Sequence, residues 1–192
     1  MASDEPAKAG RKRSETSKQA ILQAAFSLFA DAGLQSLTIE GIAAEAGVGK
    51  QTIYRWWPSK AHVLMEYVGS SAELLVSTDD HGSFELDLRA FLTESFDIGR
   101  TSGIRELLAA LMGQAQVDPG FGAQFRTDFL QRRRDALAVI LDRAKARGDL
   151  PEGIRPETVT DVVFGVIWYR VLATGTPPDD RLVDELTTML AH

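Results

Sequence analysis

No cysteine occurs anywhere in this 192-residue chain. That absence excludes disulfides, thiolate zinc sites and cysteine nucleophiles together, and it fits a reducing compartment. Histidine is scarce as well. His62, His81 and His192 stand far apart without ligand spacing, so no metal site is expected. The chain has no long apolar run. The longest, VVFGVIW at 162–168, meets Tyr169 and Arg170 and falls far short of the ~20 residues that a membrane span needs. The first twenty residues hold no apolar stretch of the kind a secretory signal requires. Gly-rich phosphate loops and nucleophile motifs are missing too. These absences point to a cytoplasmic protein without a membrane partner, a cofactor or a metal, and not to an enzyme.

Positive charge is short overall, with a net charge of −6, but it is unevenly spread. Residues 1–60 hold 8 Lys and Arg against 6 Asp and Glu; the remainder holds 13 against 21. The first part can approach phosphates, while the acidic remainder keeps the molecule soluble and away from them.

Alternating strand patterns, internal repeats and low-complexity stretches are not found, and the chain reads as all-α. SKQAILQAAFSLFADAG places Ile21, Leu22, Ala25, Leu28 and Phe29 at helical spacing, with Gly33 as the stop. Thr38 can cap a second helix, IEGIAAEA, which Gly47 breaks. A third, about 49–56, ends because Pro58 pushes Trp57 out of helical geometry. Ser59 can cap a fourth helix reaching about Val76. STDDHGS at 77–83 is the most polar linker. Further helices are expected at about 84–101, 103–116, 119–147, 156–174 and 179–191, punctuated by Pro119, Gly148, Pro151 and Pro156. That makes about nine helices: a flexible basic arm (1–14), a unit of about three helices (15–65) and a larger C-terminal helical unit (66–192).

Residues 42–57 form two helices and a glycine turn, the helix-turn-helix pattern. Ala43 and Ala46 allow close approach, and Val48 and Ile53 fill the angle. At ~100° per residue, Ile53 and Trp57 point inward, while Gln51 and Arg55 lie opposite and Lys50, Thr52 and Tyr54 take the sides. The exposed face therefore carries donors suited to phosphates and base edges. Lys60 falls in the first turn of the next helix, where free N–H groups favour an anion.

The stretch LTIEGIAAEAGVGKQTIYRWWPSKAHVL resembles the N-terminal DNA-binding domain of TetR/AcrR-family transcriptional regulators. The matching residues are Thr38, Ile42, Ala43, Ala46, Gly47, Val48, Thr52, Ile53, Tyr54, Trp57, Lys60 and Leu64, within about 15–65. The family often has Phe at Trp57 and His or another aromatic at Trp56. The resemblance implies a homodimer on a palindromic double-stranded DNA operator, with Thr38, Lys50, Gln51, Thr52, Tyr54, Trp56 and Lys60 at or near the DNA. Arg55 joins that face by its projection. The resemblance also implies a C-terminal domain that binds a small molecule or serves as a dimer interface.

For a small apolar or aromatic effector, Phe91, Met112, Phe125, Phe129, Trp168, Tyr169 and Arg170 are the candidate lining. Arg170 interrupts VVFGVIWYRVL, and if buried it needs an anionic partner, on the protein or on a ligand. The RRR run at 132–134 is expected to pair along its own helix with Asp128, Asp135 and Asp142. The last two helices are the dimer candidate, through Val163, Gly165, Val166, Leu182, Leu186 and Met189. The expected function is a repressor released by its effector. Alternatives are a ligand-independent regulator, or an α-helical enzyme or scaffold in which the helix-turn-helix arose by chance.

Overall fold

The computed structural model describes residues 5–70 (backbone only for 5–13), 76–101 and 103–192. Among these residues the chain forms helices and no strand, in two compact units divided at Ser70 and Ser71.

The first unit holds α1 (Glu5–Ser36), α2 (Ile39–Glu45), α3 (Lys50–Tyr54) and α4 (Lys60–Ser70). α1 begins at Glu5, inside the 1–14 segment expected to be a flexible arm. Ala7, Lys8, Ala9, Arg11, Lys12 and Arg13 all favour a helix, and Pro6 is tolerated in a first turn. Gly33 breaks α1 as expected: its φ of 73° and ψ of 173° lie outside helical geometry. α4 is helical to Ser70, five residues past the expected boundary at 65; residues 71–75 lie outside the described ones, and Val76, the expected end of this helix, is not helical. The Ser59 hydroxyl, just before α4, lies 2.8 Å from His62 Nδ1. Ile21, Leu22 and Ala25 of α1 are buried with Ile42 of α2, Ile53 of α3 and Leu64 of α4. Phe26 stacks on Tyr67, their rings 4.4 Å apart, fixing α1 against α4.

The second unit holds α5 (Phe84–Arg100), α6 (Ile104–Val117), α7 (119–147), α8 (156–174) and α9 (Asp180–Ala191). α7 and α8 each contain a wider π-helical stretch, at Phe125–Leu130 and Arg170–Thr174. The boundaries follow local chemistry. Asp118 accepts the Phe121 N–H at 3.0 Å before Pro119, and Asp179 accepts the Leu182 N–H at 2.9 Å. α7 ends at Gly148, φ 76°, with Gly148 N–H donating to Lys145 O and Asp149 N–H to Ala144 O. A Cβ on Gly122 would lie 2.5 Å from the Ala115 carbonyl oxygen, so the α6–α7 corner requires glycine there.

α5 is the core helix of this unit. Phe84, Leu88, Phe91, Leu92 and Phe96 are buried against Leu137 and Ile140 of α7, Val159 and Val163 of α8, and Val183, Leu186 and Leu190 of α9. Each such side chain contributes ~1.5–3 kcal/mol of burial. Val163 and Leu186, expected at a dimer interface, are thus core residues of their own chain. On α9, Val183, Leu186 and Leu190 face that core, while Met189 is exposed.

Candidate nucleic-acid interface

The interface candidate lies wholly in the first unit. Thr38 caps α2, its hydroxyl accepting the Gly41 N–H at 3.0 Å. α2 ends in a turn centred on Gly47, whose φ of 64° is the left-handed region that glycine favours. Gly47 N–H donates to Ala44 O and Val48 N–H to Ala43 O, at 3.3 and 2.9 Å. This pair of bonds satisfies the last carbonyls of α2 and redirects the chain into α3.

α3 is short, and its orientation comes from two buried anchors. Ile53 is fully buried, and Trp57 nearly so, beyond the helix end. The Trp57 indole N–H donates to Glu66 on α4, which also pairs with Lys18 on α1. Trp56 meets Trp57 edge to face with ring centroids 5.3 Å apart. It is half-buried, and the Arg55 guanidinium sits 4.8 Å from its ring centroid. Both tryptophans therefore brace the helix.

The opposite face is open. Lys50, Gln51, Tyr54 and Arg55 are exposed, as is Thr38, and Thr52 is half-buried. Tyr54 is 55 % exposed, which for a large aromatic leaves its ring and hydroxyl available to a partner. Lys60 is half-buried, and its ammonium donates to the Leu37 carbonyl at 2.7 Å and that of Gln35 at 3.4 Å. It ties α4 to the loop before α2. Glu40, which the sequence reading passed over, lies in the first turn of α2 and accepts a 2.9 Å hydrogen bond from Lys50. That bond holds the Glu40 carboxyl below its usual range and raises the Lys50 ammonium.

In the second unit, the expected effector residues separate into groups. Phe121, Phe125, Phe129 and Arg133 recur every fourth residue along α7. In an ordinary α-helix, positions four apart drift by ~40° per step. The wider turn at Phe125–Leu130 takes the drift back, and the three rings stack at 5.9 and 5.3 Å. Trp168 meets Phe125 edge-on at 6.4 Å, and Phe91 meets Phe164 at 6.3 Å. Met112 is half-buried beside Gln116. Tyr169 is 62 % exposed and does not join the buried aromatics, because it shares the outward side of α8 with Gly165 and Leu172. Arg170 is only half-buried. Arg133 is half-buried too, but it reaches α5, donating to Ser95 at 3.1 Å, and desolvation lowers the pKa of its guanidinium to about 10. The RRR run does not pair as expected: Arg134 reaches Asp161 on α8 and Arg133 reaches α5.

Residues 21–67 match the family model for bacterial regulatory proteins of the tetR family. Residues 78–190 match the tetracyclin repressor-like C-terminal domain. The chain belongs to the TetR family. It is similar to the uncharacterized HTH-type transcriptional regulator YdeS of Bacillus subtilis (strain 168), 35 % identical over 181 residues, covering 93 % of this chain and 90 % of YdeS. The DNA-binding transcriptional repressor TetR of Mycobacteroides abscessus is 26 % identical over 201 residues, covering 93 % of this chain and 95 % of that protein. Among solved structures, the TetR family transcription regulator SCO0332 superposes with a TM-score of 0.74 at 28 % identity, covering 90 % of this chain and 94 % of that one. This TetR-family chain is a helix-turn-helix transcriptional regulator. No helix among its described residues is long and apolar enough to cross a membrane.

Proposed function

We propose that the protein is a cytoplasmic homodimeric repressor that binds a palindromic operator through α3 and is released by a small effector. The observation that carries the reading is the two-sidedness of residues 50–57. Ile53 and Trp57 are buried, while Lys50, Gln51, Tyr54 and Arg55 are exposed. Lys50, Gln51, Thr52, Tyr54 and Arg55 are assigned to the major groove and its edges. Thr38, Trp56 and Lys60 are assigned to the flanking phosphates. A helix presenting amide, guanidinium and ammonium groups from an apolar anchor suits base edges. Selection from a random pool of duplexes with the purified protein tests this. A two-fold symmetric consensus is expected, its half-site centres about 34–36 Å apart or a small multiple of that. Equal retention of every duplex would refute the reading.

The effector reading rests on the α7 row, three stacked phenylalanines ending in Arg133. That chemistry suits an apolar or aromatic molecule carrying an anionic or acceptor group. Release requires tighter effector binding to the conformation that fits DNA less well; a coupling of ~1–3 kcal/mol changes operator affinity about 5- to 150-fold. A panel of aromatic and aliphatic acids, scored by operator release and thermal shift, is the test. No shift with any member would favour a ligand-independent regulator.

A further inference from the structure

We propose that Glu40 is a positioning residue that occupies Lys50 when the protein is off its operator, suppressing attachment to arbitrary DNA. The inference rests on the assignment of Lys50 to the DNA face. Glu40 and Lys50 are both exposed, on different helices, and their charged atoms lie 2.9 Å apart. Glu40 is the acidic residue in the first turn of α2. Its carboxylate engages Lys50, the first residue of the recognition helix.

Non-specific DNA affinity is almost wholly electrostatic, rising with each phosphate that a cation neutralises. On an arbitrary duplex, Lys50 can only exchange one anion, the Glu40 carboxylate, for another, a phosphate. Its net contribution to non-specific binding is therefore small. On the operator, base-edge acceptors offer the ammonium a placement that a carboxylate at the helix start does not reproduce. The pair lowers the background more than the specific complex. Specificity is a difference of affinities, and removing attraction to the wrong partner widens it.

Glu40→Gln keeps the side chain's size and removes its charge. The variant's affinity for a random-sequence duplex and for a duplex selected by the parent protein is measured from 50 to 200 mM salt. One additional phosphate contact steepens the salt dependence by about 0.9 in log–log slope, so the loss of random-duplex affinity across that range should grow about 3.5-fold. Affinity for the selected duplex should change less, narrowing the ratio between the two. In a Lys50→Gln background, Glu40→Gln should leave the random-duplex slope unaltered, because its effect runs through Lys50. Circular dichroism and a thermal melt confirm folding, with Glu40→Ala as the second variant. Unchanged slopes would overturn the inference. So would the same steepening without Lys50, or an equal rise on both duplexes, since either would make Glu40 a diffuse repulsive charge. Lys50→Gln alone separates the two levels. If it leaves binding to both duplexes unaltered, the DNA-face assignment fails. If it weakens binding while Glu40→Gln is silent, only the role of Glu40 fails.

Discussion

Trp57 donates its indole N–H to Glu66, nine residues further on, and Glu66 also pairs with Lys18 on α1. One carboxylate thus joins the residue that ends the recognition segment to two of the helices that carry it. This explains a tryptophan where the family often has phenylalanine. The ring fills the same buried place, and the added N–H gains a partner that a phenyl ring could not use.

Trp57→Phe should therefore keep the fold and lose ~1 kcal/mol of stability, the usual net worth of one hydrogen bond. Trp57→Ala should cost ~3–5 kcal/mol and abolish operator binding as α3 loses its anchor. Chemical denaturation and operator titration check both. If Trp57→Ala bound operator like the parent, the anchoring role would be wrong.

The turn at Gly47 yields a second expectation. A Cβ there would meet nothing within 4 Å, so space is not the constraint; the left-handed φ is. Gly47→Ala should destabilise by ~1–2 kcal/mol and weaken operator binding by shifting α3 relative to α2. Gly47→Asn should cost less, since asparagine tolerates that conformation. Equal melting of all three proteins would show that the turn is not strained by a side chain.

Most of this helical order was legible in the sequence, because caps and stops are local. Thr38, Gly47 and Gly148 act where their types and positions suggested. The inward direction of Ile53 and Trp57 also followed from periodicity alone. What escaped depends on which helices meet. Val163 and Leu186 look like a free apolar stripe until α5 covers them. Glu40 and Lys50 are ten residues apart and pair only once the Gly47 turn folds back. Arg133 gave no sign of its contact with α5 among three arginines, since only the packing of α5 brings Ser95 to it. The wider turn at Phe125–Leu130, which aligns the α7 rings, had no evident sequence signal either.

Asp87 offers a test of the second unit. Its side chain is completely buried, accepts the His81 N–H at 2.6 Å and faces Arg147 at 3.2 Å and Arg143 at 3.4 Å. The same arginines reach Asp80, fastening the polar 77–83 segment to α5 and α7. Asp87→Asn keeps the shape but removes the charge these arginines face. A loss of ~3 kcal/mol is expected, at the lower end for a broken buried pair because both arginines retain some water contact. Denaturant unfolding that moves by less than ~0.5 kcal/mol would show that the cluster contributes little.

Subunit assembly can be separated from chain stability by two residues two positions apart on α8. Val163 is fully buried in its own core, whereas Gly165 is exposed and a Cβ built there meets no atom within 4 Å. Tyr169, Leu172 and, on α9, Met189 are exposed apolar side chains, so an apolar surface on these two helices is open to a second copy. Gly165→Leu should leave the unfolding midpoint of the isolated chain near that of the parent. It should shift sedimentation from dimer to monomer and weaken operator binding, because a lone subunit engages one half-site. Val163→Ala should do the reverse, lowering stability by ~1–3 kcal/mol through a core cavity while the protein still sediments as a dimer. If Gly165→Leu remains dimeric at micromolar concentration, the subunits meet elsewhere; if Val163→Ala dissociates without loss of chain stability, the division of α8 into core and contact faces is wrong.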